Sequence, residues 1–116
     1  MSVREEKAAM RGEIKRRIAA LSREEIGRQS ASACKLAAGL EEFKSAKAIL
    51  AYMALPAECD PAELVKIADS MGKSVAYPVC GAGGRLELYI PADEGCFVRG
   101  AYGITEPDRE RSERIT

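Results

Sequence analysis

The chain has 116 residues, enough for one domain and too few for two ordinary ones. Its 18 basic and 18 acidic residues cancel, so no global charge draws it to nucleic acid or an anionic membrane, and no apolar run approaches the roughly 20 residues of a membrane span. The opening MSVREEKAAMRGEIKRR is too charged for the apolar core of a signal peptide, which makes the cytoplasm the expected compartment.

Residues 3–20 are predicted to form a helix, because Met10, Ile14 and Ile18 recur at intervals of four, with Ala8 and Leu21 extending the stripe. Ser22-Arg-Glu-Glu25 reads as a capping box that opens a second helix running to about Gly39, with Ile26, Cys34, Leu36 and Ala37 toward the core. The period then changes. Ala48 to Met53 is a short continuous apolar run, the pattern of a strand buried on both faces. Asp60-Pro61-Ala62-Glu63 carries a cap, a proline and a glutamate in the order that starts a helix. Leu64, Ile67, Ala68 and Met71 then supply its apolar face, and Gly72 ends it. Ser74 to Tyr77 makes a second strand stopped by Pro78, so residues 47–78 read as a βαβ unit with two parallel strands. Gly81 to Gly84 is a turn, and Arg85 to Ile90 is a third strand of undetermined direction that ends at Pro91.

One domain over 1–116 follows: helical at 1–45, a strand-helix-strand core at 46–107, and a charged link at 108–116. The expected fold class is α/β, an open and mostly parallel sheet flanked by helices, which looks truncated. So small a sheet leaves strand edges uncovered, and an uncovered edge favours self-association.

The chemistry available is restricted. There is no histidine, the commonest general base near neutral pH. Cys34, Cys59, Cys80 and Cys96 form no CxxC pair, so they read as reduced small hydrophobes with no metal site. No catalytic residue is identified. Lys7 and Arg11 stand four apart on one helical face, where they could clamp a polyphosphate or simply be a solvated surface. Glu58 follows the first strand, at the carboxyl end where ligands of parallel sheets bind, and could accept N–H bonds from a heterocycle or be an exposed loop acid. Met53 offers apolar packing to such a ring, or belongs to the core. Glycines 81, 83 and 84 fit neither a P-loop nor a Rossmann fingerprint and are read as a turn. In YGITEP, Gly103 permits unusual dihedrals and Pro107 holds Glu106 extended, which defines a rigid loop without naming a ligand.

Taken in order, KAAMR at 7–11, AYMALPAECDPAELVKIA at 51–68, GKSVAYP at 72–78 and GAYGITEP at 100–107 resemble the N-terminal portion of the 5-formyltetrahydrofolate cyclo-ligase family, also called 5,10-methenyltetrahydrofolate synthetases. The resemblance implies an ATP- and Mg2+-dependent closure of 5-formyltetrahydrofolate to 5,10-methenyltetrahydrofolate. It assigns Lys7 and Arg11 to ATP, Met53 and Glu58 to the folate, and Gly103 and Glu106 to a loop that organises the site. It also implies a glycine-rich GRLGxGxGYYDR segment with a magnesium-binding aspartate, and residues 1–116 contain nothing like it. Turnover by this chain is therefore left open. The other readings are a non-catalytic folate- or nucleotide-binding fragment and a small α/β interaction domain.

Overall fold

The computed structural model describes residues 2–100 and 103–115; Ala101 and Tyr102, part of the GAYGITEP stretch, lie outside the described residues. Two long helices come first. Helix α1 (Val3–Ala19) opens on a reciprocal capping box, in which Ser2 Oγ accepts the Glu5 N–H at 3.2 Å and the Glu5 carboxylate accepts from the Ser2 N–H. Helix α2 (Arg23–Ala38) is capped by Ser22, whose Oγ accepts the Glu25 N–H at 3.1 Å. After the short α3 (Glu41–Ser45) come β1 (Ala48–Leu50), α4 (Ala62–Ser70), β2 (Ser74–Cys80), β3 (Leu86–Pro91), β4 (Phe97–Arg99), β5 (Thr105–Pro107) and β6 (Ser112–Ile115). Among the described residues no helix is long and apolar enough to cross a membrane.

The expected βαβ unit forms, with β1 and β2 paired in parallel through α4. The sheet as a whole is not mostly parallel. Its order is β1-β2-β3-β6, and β2–β3 and β3–β6 are antiparallel, as is the separate β4–β5 ribbon. Loop length explains the difference. A parallel neighbour needs a crossover of about a dozen residues or more, whereas a short turn around Ala82–Gly84 joins β2 to β3. Gly83 and Gly84, at φ +67° and +76°, make that reversal possible.

The tail also differs from the expected link. Asp108 caps a 3-10 turn at Arg109–Arg111 by accepting the Glu110 N–H at 3.0 Å, and Ser112–Ile115 then pair with β3 as β6. That backbone bond, reinforced by Arg111 at 3.1 Å, holds the Asp108 carboxyl below its usual pKa. The charges that suggested a solvated link serve the pairing instead, because Glu87 on β3 bridges Arg109 at 3.2 Å and Arg114 at 3.3 Å.

Two strand boundaries shift for a related reason. Ala51 N–H bonds to Ala76 O at 2.8 Å, so the polar groups of Ala76 face β1. Pro78 faces the same way two residues on, beyond the end of β1, where no N–H is required, and β2 continues through it to Cys80. Strand β1 is not buried on both faces: Ala48 and Leu50 are exposed, and the core lies on one side only.

That core joins Phe43, Ala51, Ala68, Val75 and Tyr77, with Phe97 meeting the Tyr77 ring edge-on at 5.1 Å. Helix α2 turns Ser30 and Cys34 inward, one turn apart, and leaves Leu36 77% exposed. Leu36 follows Cys34 by two residues, about 200° around the helix, so the two cannot share a face. Helix α1 buries no residue, and its stripe of Met10 and Ile14 is exposed. The radius of gyration, 16.2 Å, accordingly exceeds the roughly 13 Å of a compact domain of this size.

Lys73 fastens α3 to the sheet. Its Nζ donates to the carbonyls of Lys44, at 3.0 Å, and Ala46, and stands 5.3 Å from the Phe43 ring centroid. A cation at these terminal carbonyls satisfies acceptors the helix leaves open. Lys73→Met is expected to lower stability by about 1–2 kcal/mol in urea denaturation; an unchanged midpoint would rule out this fastening role.

Candidate functional site

A cleft of about 700 Å³ opens between α4, the start of β2, the end of β3 and β4. Val65, Val75, Tyr77 and Phe97 give it apolar walls, and Lys66, Asp69 and Lys73 add charge. Tyr52 and Met53 enter it from the segment after β1, at the carboxyl end of the parallel pair. A volume of this order holds a small heterocyclic ligand.

The segment that carries Tyr52 and Met53 is tied down at its far end. Asp60 N–H donates to the buried Ser30 Oγ at 3.0 Å, the Cys34 thiol donates to Asp60 O at 3.5 Å, and Asp60 Oδ1 accepts the Ala62 N–H at 2.9 Å. Small residues on α2 therefore position the start of α4 and the loop before it. Tyr52 donates its hydroxyl to the Cys59 carbonyl. Burial, followed by the charges of Cys59, Glu58, Asp60 and Cys34, raises its pKa, so the phenol keeps its proton at neutral pH.

Met53 is the sequence-predicted site residue that lines this cleft. Glu58 does not line it. It is exposed and folds back on its own turn, where Oε1 accepts the Leu55 N–H at 2.8 Å and the Glu58 N–H donates to Leu55 O at 2.9 Å. Lys7 and Arg11 are exposed one turn apart on α1 and do not line the cleft either. Of the cleft residues, Lys66 reads in the sequence as a solvated position on α4 and Tyr77 as a core residue. Tyr52 had one available signal, an aromatic immediately beside Met53 at the end of a strand.

Gly103 and Glu106 belong to the β4–β5 hairpin, closed by a Gly100 N–H bond to Ile104 O at 2.8 Å. Gly103 adopts φ +70°, a left-handed conformation that other residues enter at a cost. Glu106 is 7% exposed, and its Oε2 accepts the Cys80 N–H at 2.8 Å. That N–H faces the side that β1 vacates after Leu50, so the carboxylate replaces the missing strand partner. Arg109 completes the substitution by donating to Cys80 O at 2.9 Å. Desolvation, and then the bond and charge of Glu106, raise the Cys80 thiol pKa. The other three cysteines are also free thiols, Cys34 and Cys96 buried and Cys59 exposed.

A magnesium ion needs several oxygen ligands in near-octahedral array. Among the described residues no group of three Asp, Glu, His or Cys side chains gathers to hold a metal, so the donors present do not fit that ion.

The model of the 5-formyltetrahydrofolate cyclo-ligase family matches residues 3–115. Among solved structures, the NMR structure of Aquifex aeolicus 5,10-methenyltetrahydrofolate synthetase is similar, with a TM-score of 0.71 and 29% identity over 94% of this chain and 54% of that one. The chain thus spans about half the length of that relative. No curated protein matches. With the family match running through α1, the βαβ unit, both hairpins and β6, the chain belongs to the 5-formyltetrahydrofolate cyclo-ligase family.

Proposed function

We propose that the chain provides the folate- and nucleotide-contacting part of an ATP-dependent ligase that closes 5-formyltetrahydrofolate to 5,10-methenyltetrahydrofolate. Family membership supports the reaction class, and the observation that carries the site is the cleft beside Met53, with its apolar walls and bordering lysines. In this reading the pterin packs against Met53 and Tyr52. Glu58 stands outside the cleft wall with Oε1 committed to the Leu55 N–H, so Oε2 is the oxygen left to accept a ring N–H from a pterin that reaches past Met53. Lys7 and Arg11 take the phosphates of ATP, and Gly103 and Glu106 hold the hairpin in place. The formyl oxygen attacks the γ-phosphorus and ADP leaves. The N10 amine then attacks the activated carbon and releases its proton to solvent, and phosphate departs with the formyl oxygen as the ring closes. The protein's contribution is alignment of nucleophile with phosphate and neutralisation of developing charge. No step is assigned to Mg2+, whose ligands these residues do not supply.

The test is formation of methenyltetrahydrofolate from 5-formyltetrahydrofolate, ATP and Mg2+, read by absorbance, alongside calorimetric titration of each ligand. A second reading is binding without turnover, which titration heats without product would establish. Absence of both product and binding would overturn both readings. In protein that turns over, Glu58→Ala is expected to raise the folate KM about tenfold and leave that of ATP unchanged, with Lys7→Ala doing the reverse. Equal effects of both substitutions on both substrates would refute the assignment.

A further inference from the structure

Tyr77 is 8% exposed, and its ring is fixed by the core and by the edge-on contact with Phe97. Its hydroxyl has no hydrogen-bond partner among the described residues, where the one side-chain polar atom lacking both a partner and solvent is Ser112 Oγ. The Tyr77 oxygen therefore reaches solvent, and it does so through the cleft that the residue lines. A phenol held by its ring and open at its oxygen is a hydrogen-bonding group already in place for a ligand.

Asp69 lines the same cleft from the last turn of α4. A carboxylate there opposes the helix dipole, which favours cations at that end, and this turn contains no basic residue. Neither neighbouring lysine offsets it: Lys66 pairs with Glu63 at 3.4 Å, and Lys73 Nζ is held by the carbonyls of Lys44 and Ala46. Ala68, the residue before it, is fully buried in the core and fixes this turn against the sheet. An acid that weakens its own helix, with no partner for its carboxylate among the described residues, is the local conflict expected of a binding group. Burial, followed by the Asp69 charge, raises the Tyr77 pKa, so the phenol keeps a proton to donate.

We propose that Tyr77 Oη and the Asp69 carboxylate bind the edge of an amino-oxo-pyrimidine ring, on which an oxo group, a ring N–H and an amino group stand in a row. The hydroxyl donates to the oxo oxygen, and the carboxylate accepts from the two adjacent N–H groups. Val65, Val75 and Phe97 cover the ring faces. The inference rests on the folate reading, since a pterin carries this edge, and Glu58 then meets an N–H of the second ring. Guanine carries the same array, and titration separates the two sources.

The ligands for calorimetry are 5-formyltetrahydrofolate, guanosine and p-aminobenzoylglutamate, which lacks the edge. Each would be titrated into the unmodified protein, Tyr77→Phe and Asp69→Asn. The unmodified protein is expected to bind 5-formyltetrahydrofolate more tightly than guanosine. Tyr77→Phe should weaken that binding about three- to tenfold, the loss of one neutral hydrogen bond, and Asp69→Asn about tenfold or more, because a charged acceptor is lost. Neither substitution should change the affinity for p-aminobenzoylglutamate. Tyr77→Phe keeps the ring packing and Asp69→Asn relieves the helix dipole, so neither should lower the urea midpoint. Lowered midpoints with equal losses for all three ligands would make both residues structural and overturn the proposal. Tight 5-formyltetrahydrofolate binding retained by both variants would overturn the pair and leave the folate reading standing. Guanosine binding lost in both variants, with no folate binding, would keep the pair and overturn the folate reading. No binding of either ligand would overturn both.

Discussion

Gly100→Ala is expected to destabilise the protein by about 1–3 kcal/mol, the range for forcing atoms into a packed site. The cause is contact with Glu106. A Cβ on Gly100 would stand 2.9 Å from Glu106 Cγ and closer still to the carboxylate, so the glutamate side chain would have to move. That carboxylate is 7% exposed and accepts the Cys80 N–H, so moving it leaves an N–H unpaired at the rim of β2. Glu106→Ala should cost about 2–3 kcal/mol by itself, because a hydrogen bond to a charged acceptor is lost and its donor is stranded. The double variant distinguishes this account from a generic loss of packing. Once the carboxylate is gone, the alanine at 100 has space, so the two penalties should add to clearly less than their sum. Urea denaturation of the four proteins measures the coupling, and strict additivity would show that Gly100 is not conserving space for Glu106.

Tyr77→Ala should have the larger effect, about 3–5 kcal/mol, which is a large share of the roughly 5–15 kcal/mol that holds a domain of this size folded. Tyr77 is buried in the core, meets Phe97 edge-on at an interplanar angle of 88°, and also forms a wall of the cleft. Removing its ring opens a cavity and separates the β4–β5 ribbon from β2. Tyr77→Phe keeps the ring, and the hydroxyl makes no protein hydrogen bond among the described residues, so it should cost well under about 1 kcal/mol. Burial raises the Tyr77 pKa, so the group is neutral near pH 7 and the comparison carries no charge effect. Pairing Tyr77→Ala with Phe97→Ala should reveal a coupling of about 0.5–1.5 kcal/mol. Equal destabilisation by phenylalanine and alanine at position 77 would transfer the effect from the ring to the hydroxyl.

The candidate site was legible in part. Met53 lines the cleft, and its place at the carboxyl end of a parallel strand was readable beforehand, with ring contact and core packing both open to it. Lys66 and Tyr77 could not be placed there, since a lysine on an amphipathic helix and a tyrosine in a strand have ordinary explanations until the two elements are packed together. Glu106 illustrates the opposite limit. Its rigid setting before Pro107 was readable, but its purpose depends on β1 ending early beside a strand 26 residues away in sequence.

What the sequence by itself determined were the features decided within a turn or two of chain. Ser22 caps its helix through a bond three positions on, Asp60 bonds the Ala62 N–H although Pro61 takes the cap position of α4, and the spacing of Leu64, Ile67 and Ala68 orients that helix. The βαβ unit and the family resemblance follow from ordered stretches of that local kind. Tertiary structure decided the rest. The antiparallel direction of the third strand is set nearby, by the short glycine turn before it, whereas the tail becomes β6 because Ser112–Ile115 find an open edge on β3, with Glu87 to receive Arg114. A hydrogen-bond partner three residues away is specified locally, whereas a strand partner more than twenty residues away is the outcome of competition among all the edges that the folded chain brings within reach.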